Sequence, residues 1–154
     1  MTTFCLDTNA FIEAFRYYPR DPFGKLWDTL EAWGQEGRIA APHEVLEELS
    51  KIEDDLYGWA KTQAGLFRQP EEAVQRQVIA ILKAHPEWVD AETQRPVADP
   101  WVIAQACVDG RTVVTQERPA GGPGGLPKIP NVCDEMEIGC VAWLGLVREM
   151  QLGY

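Results

Sequence analysis

Short apolar runs alternate along this chain with stretches whose apolar residues recur every three or four positions. Thr3-Phe4-Cys5-Leu6 predicts a strand, halted by the polar Asp7-Thr8-Asn9. Phe11, Ile12, Phe15 and Tyr18 then follow at helical spacing, and Phe23, Leu26, Trp27, Leu30 and Trp33 form the stripe of a second helix ending near Gly34 or Gly37. Arg38-Ile39-Ala40-Ala41 reads as a second strand. Pro42 suits the first position of the next helix, with Val45, Leu46, Leu49 and Ile52 as its buried side. Helical signal resumes over Asp54 to Ala64. It returns after Pro70-Glu71-Glu72, with Val74, Val78, Ile81 and Leu82 facing inward.

Asp99-Pro100 predicts a further helix start, Asp as cap and Pro in the first turn, with Val102, Ile103, Ala106 and Cys107 as its apolar face. Thr112 to Thr115 reads as a strand, 119–127 as a flexible Gly-rich loop, Lys128-Ile129-Pro130 as a last short strand, and Val141 to Met150 as a closing helix. Strands alternating with helices predict an α/β fold with a largely parallel central sheet, in one domain over 1–154.

The chain has 154 residues and a net charge of -10, which excludes a basic nucleic-acid coat. No apolar run is long enough to cross a membrane, and the N-terminal segment lacks a basic stretch and a cleavage motif. Cys5, Cys107, Cys133 and Cys140 contain no CxxC pair, and Cys5 and Cys107 read as buried thiols. A reduced, cytoplasmic protein is expected. His43 and His85 stand in no catalytic arrangement, and the Gly-rich loop lacks the Gly-Lys-Ser/Thr of a phosphate cradle.

Four acids fall where strands give way to helices or loops: Asp7, Glu48, Asp99 and Glu117. Ligand chemistry in parallel sheets gathers at that carboxyl edge. Brought together, these acids would make an oxygen-rich pocket suited to hard divalent cations, Mg²⁺ or Mn²⁺. Each has a plainer reading. Asp7 and Asp99 could serve only as helix caps, Glu48 could be a solvated charge beside Glu44 and Glu47, and Glu117 a loop acid. Asp54 and Asp55 read as a helix-start pair, and Trp59 and Trp101 as core.

The ordered set carries a resemblance. Leu6-Asp7-Thr8-Asn9 resembles the opening motif of PIN-domain nucleases. Glu48-Leu49, Asp99-Pro100-Trp101-Val102-Ile103-Ala104 and Val114-Thr115-Gln116-Glu117 resemble that family's later acidic motifs, in the same order. Tyr17-Tyr18, Asp54 to Trp59 and Lys128 to Cys133 are similar to segments of a prokaryotic, toxin-like branch. The resemblance implies a three-layer α/β/α fold, dependence on Mg²⁺ or Mn²⁺, and hydrolysis of RNA phosphodiester bonds. It makes Asp7, Glu48, Asp99 and Glu117 the catalytic, metal-holding acids, with Asn9 and Thr115 orienting them or the attacking water. Many relatives carry Asp where Glu117 stands. Glu47 is a one-residue alternative to Glu48, about 100° away on a helix, so only one faces the site.

The expected partners are RNA in single-stranded or looped regions, gripped by Arg16, Arg20, Arg118 and Lys128, and a protein antitoxin whose Arg could pair with Asp7 or Asp99. The oligomeric state is open, a homodimer among the options. Two other classes compete: a PIN-fold interaction module without catalysis, and a receiver-like signalling domain. The second is disfavoured because Asp99 precedes a Pro-started helix instead of ending a central strand.

Overall fold

The computed structural model describes residues 1–89, 98–120 and 127–153. The central strand, β1 (Phe4–Leu6), is wholly buried, as a strand covered on both faces must be. It leads through α1 (Thr8–Tyr17) and α2 (Gly24–Gln35) to β2 (Ile39–Pro42). Next come α3 (His43–Ile52), α4 (Asp54–Ala60) and the two-residue β3 (Phe67–Arg68). The chain continues through α5 (Glu72–Ala84), a 3-10 turn at Pro86–Trp88, α6 (Ala98–Asp109) and β4 (Thr112–Val114). It ends with α7 (Ile129–Glu135), β5 (Cys140–Val141) and α8 (Trp143–Met150).

The five strands form one sheet in the order β3-β2-β1-β4-β5, and every pairing is parallel. α6 lies across β1, β2 and β4 with α5 and α7 beside it, while α2 packs on β2 with α8 alongside. The result is the expected three-layer α/β/α arrangement. α6 is buried from Val102 to Ala106 without a polar stripe, because sheet and neighbouring helices enclose it. Gly110, at φ +68, ends the helix in a left-handed turn that glycine adopts at least cost.

Several local expectations are corrected. Lys128-Ile129-Pro130 is no strand: Ile129 and Pro130 open α7, where a proline without an N–H removes no helical hydrogen bond. The fifth strand is Cys140–Val141, so the last helix starts at Trp143 and not at Val141. Pro42 closes β2 in extended conformation and precedes α3. Ala98 is already helical, so Asp99 sits inside the first turn of α6. Ile52 ends α3 and is half-exposed. Cys107 is exposed because α6 emerges from its packing after Ala106. Of the Gly-rich loop, 121–126 lie outside the described residues. No described helix is long and apolar enough to cross a membrane.

Candidate metal centre at the carboxyl edge

Register creates the site. β1 and β4 pair with Leu6 opposite Val114, so the residues that follow, Asp7 and Thr115, emerge side by side. The Asp7 amide closes the ladder by donating to Val114 O at 2.9 Å. Asp7 is 3% exposed and also caps α1, its Oδ1 accepting from Thr8 N at 2.7 Å. Its Oδ2 accepts from the Thr115 hydroxyl at 2.9 Å. Both oxygens are thereby held in a fixed direction.

Asn9, in the first turn of α1, ties the two strand ends together. Its Oδ1 accepts from Gln116 N at 2.8 Å and is a second, longer acceptor for the Thr115 hydroxyl at 3.3 Å. That hydroxyl in turn accepts from Glu117 N at 3.1 Å, turning the chain so that Glu117 reaches inward. Glu117 Oε2 accepts from Ile129 N, the first amide of α7, at 2.9 Å. Asp99 arrives from α6. Asp7, Asp99 and Glu117 each present a carboxylate oxygen, and these oxygens lie within 4.8 Å of one another.

Glu48 stands beside this trio and does not join it at that radius. It accepts from the Thr8 hydroxyl at 2.5 Å, and its charge disfavours ionisation of Asp99. Glu47 is exposed on α3 and pairs with His43 at 3.3 Å, so of the two Glu48 faces the site. Thr8 escaped the sequence reading, although its place between Asp7 and Asn9 on the first helical turn was the available signal.

Negative charge is concentrated here. Among the described residues no Lys or Arg forms an ion pair with the three acids. Burial, then the neighbouring Asp99, pushes the Asp7 carboxyl up to about 8, against the pull of the Thr115 hydrogen bond. Burial, then Glu117 and Glu48, raises Asp99 to about 7, opposed by the Lys128 ammonium. Such a cluster at neutral pH favours either protons or a cation.

The basic rim divides. Arg16 pairs with Glu53 at 3.1 Å, and Arg20 with Glu31 while its guanidinium lies over Trp27. Arg118 and Lys128 are exposed on either side of the Gly-rich loop. Asn131 Oδ1 accepts from both Ala120 N and Lys128 N at 2.9 Å, fixing the ends of that segment next to Glu117. Trp59 and Trp101 pack against the core, and Asp54 and Asp55 are exposed in the first turn of α4.

Fold and site define an α/β protein of PIN-like architecture with an acid-lined sheet edge. The chain belongs to the family described as a domain of unknown function, DUF4411, which it matches over residues 4–154. No curated protein matches it. Among solved structures it is similar to FitAcB from Neisseria gonorrhoeae, with 16% identity and a TM-score of 0.52 over 92% of this chain and 99% of that one. It is also similar to VapBC2 from Rickettsia felis, bound to a DNA fragment from its promoter, with 15% identity and a TM-score of 0.51 over 92% and 99%. At these identities the likeness concerns the fold.

Proposed function

We propose that this protein is a Mg²⁺- or Mn²⁺-dependent endoribonuclease, acting as one cytoplasmic domain over residues 1–154 and as the toxin of a type II toxin–antitoxin pair. One observation carries the reading: three carboxylates from three separate elements converge, and among the described residues no Lys or Arg forms an ion pair with them. The donor set is all oxygen, which fits a hard divalent ion and not a soft one. Asp7, Asp99 and Glu117 would hold the ion, with Glu48 behind Asp99.

When bound, the ion supplies an activated water at neutral pH and offsets charge on the scissile phosphate. The protein's own part is orientation. Thr8 N and the Thr115 hydroxyl fix the two oxygens of Asp7, and Asn9 keeps the β1 and β4 ends in register. Thr8 also aims Glu48. Burial of Asp7 keeps bulk water away from one side of the cluster. Lys128 and Arg118 would meet the flanking phosphates. A recessed pocket admits a phosphate from single-stranded or looped RNA more readily than one in a duplex. The motif resemblance, together with the fold shared with FitAcB and VapBC2, supports a protein antitoxin as partner. A basic segment would complement the acid cluster.

The test is cleavage of an unstructured RNA with Mn²⁺. The wild type should cut it, while Asp7→Asn, folded by circular dichroism, and wild type in EDTA should fall to the level of the blank. Undiminished cleavage in the variant would assign the activity elsewhere. The engagement of Glu117 with the Ile129 amide favours the non-catalytic module as the second reading. A metal-binding, folded protein that cuts none of a panel of RNAs would establish it.

A further inference from the structure

We propose that Asn131 is a positioning residue of the acid cluster: by closing the neck of the Gly-rich segment it sets the start of α7, and through α7 the carboxylate of Glu117. This deepens the nuclease reading and rests on it for the role of the ion. Beyond Lys128, the segment from Lys128 to Cys133 has no part in that reading. Its Asn131 stands at the third position of α7 and reaches back to the amide before the helix. Oδ1 accepts from Lys128 N and from Ala120 N, both at 2.9 Å. Both partners are N–H donors, so the atom that faces them is the carbonyl oxygen, and its two lone pairs are thereby used. One side-chain atom joins the two ends of the segment.

The start of α7 is built from outside the helix. Lys128, at its N-cap, has no side-chain acceptor, and Pro130 has no N–H. The first helical amide, Ile129 N, donates instead to Glu117 Oε2 at 2.9 Å. Glu117 is therefore held at both ends. Its own amide donates to the Thr115 hydroxyl at 3.1 Å, and its carboxylate meets Ile129. A glutamate side chain has three torsions, so its direction depends on that far contact. The far contact is only as fixed as the main chain at Lys128 and Ile129, which Asn131 holds.

Other contacts fix the frame against which Asn131 works. Trp88, 7% exposed, donates its indole N–H to Pro127 O at 3.1 Å, which anchors the residue before Lys128 to the turn that follows α5. Ile129, Val132 and Cys133 are buried and keep α7 on the core. Asn131 itself is only partly buried, so its replacement alters the neck and leaves the packing of α7 in place. Without Oδ1, Lys128 N and Ala120 N lose their acceptor and the first turn of α7 loosens. Glu117 then loses the fixed partner that keeps it with Asp7 and Asp99, whose oxygens lie within 4.8 Å of its own.

The experiment uses the whole protein, wild type and the variants Asn131→Leu, Asn131→Ala and Asn131→Asp, each shown to be folded by circular dichroism. Amide hydrogen exchange of the metal-free proteins is followed residue by residue by NMR, and Mn²⁺ affinity by titration calorimetry. In Asn131→Leu and Asn131→Ala, exchange at Ala120, Lys128 and also Ile129 should speed up by at least about fivefold, while the amides of β1 and β4 keep the wild-type rates. Ile129 is decisive because its own acceptor, Glu117, is unchanged. In the same two variants Mn²⁺ should bind roughly 10–100-fold more weakly, the usual cost of losing a group that orients a metal ligand. Asn131→Asp, which still accepts from both amides, should keep Ile129 protected and bind Mn²⁺ at least as tightly as the wild type. Exchange at Ile129 that stays at the wild-type rate in the Leu and Ala variants would overturn the proposal, and so would an unchanged Mn²⁺ affinity in both. A wild type that binds no Mn²⁺ would overturn the nuclease reading instead, with exchange at Ile129 still deciding whether Asn131 sets Glu117.

Discussion

The two ends of the sheet bury charge in opposite ways. At the amino edge, just before β4, the Arg111 side chain is 7% exposed. Its Nε donates to Asp109 at 3.1 Å, and one terminal nitrogen reaches Phe4 O, Gly37 O and Arg38 O at 3.3, 2.9 and 3.4 Å. Gln105 completes the arrangement by donating to Asp109 at 2.7 Å. This cation ties the starts of β1, β2 and β4 together and has its counter-charge beside it. At the carboxyl edge the same β1 and β4 deliver Asp7 and the turn to Glu117, and among the described residues no Lys or Arg forms an ion pair with them. A buried charge that is paired serves the fold. A buried cluster without a partner is costly to the fold and suits an incoming ion.

The largest effect should come from breaking the satisfied end. Arg111→Met removes the cation beside Asp109, which keeps only Gln105, and takes a donor from three carbonyls, a loss of about 3–5 kcal/mol for a broken buried pair. In a domain of this size each kcal/mol moves Tm by roughly 2–4 °C. A drop well above 5 °C, the same with and without Mn²⁺, is expected in thermal melts; a shift below one degree would deny the clamp its role.

A smaller effect belongs to the unsatisfied end. Mn²⁺ at a hundredfold excess over its Kd should stabilise the wild type by about 2.7 kcal/mol, raising Tm by roughly 5–10 °C. Asp7→Asn/Asp99→Asn should lose that response while remaining folded. Equal shifts in both proteins would place the ion elsewhere.

A pH effect in EDTA reads the same end without the ion. Asp7 and Asp99 ionise near 8 and 7 in the fold, well above the ordinary carboxyl value of 3.8. The folded chain therefore holds protons that the unfolded chain releases. Their contribution to stability is full below about 4 and disappears as pH rises through 8. The metal-free protein should melt clearly higher at pH 5.5 than at pH 8.5, and Asp7→Asn should reduce the difference. A wild type that melts higher at pH 8.5 would refute the raised values.

What could be read from the sequence follows the same division. β1, β2 and β4 are apolar runs of three or four residues between polar breaks, so their pattern was visible. β3 and β5 are two residues each, too short to show any alternation, and they exist because β2 and β4 offer free edges. The Lys128–Pro130 run was apolar enough for a strand. There a proline at the helix start and Asn131 accepting the Lys128 amide decide for α7. Asp7, Asp99 and Glu117 were legible because each follows or opens a regular element, whereas Glu48 lies inside α3. Arg111 was not: one basic residue after Gly110 has no periodicity, and its meaning arises only when three strand starts meet.

The order of the chain has a consequence for synthesis. Asp7 and Thr115, bonded at the centre of the site, lie 108 positions apart. At about 5–20 residues per second, a ribosome needs on the order of 5–20 s to join them. Until β4 has emerged, β1 lacks its second neighbour, and the growing polypeptide has neither Thr115 nor Glu117. A chain interrupted before that point cannot assemble the acid cluster, so early termination yields a fragment without the site.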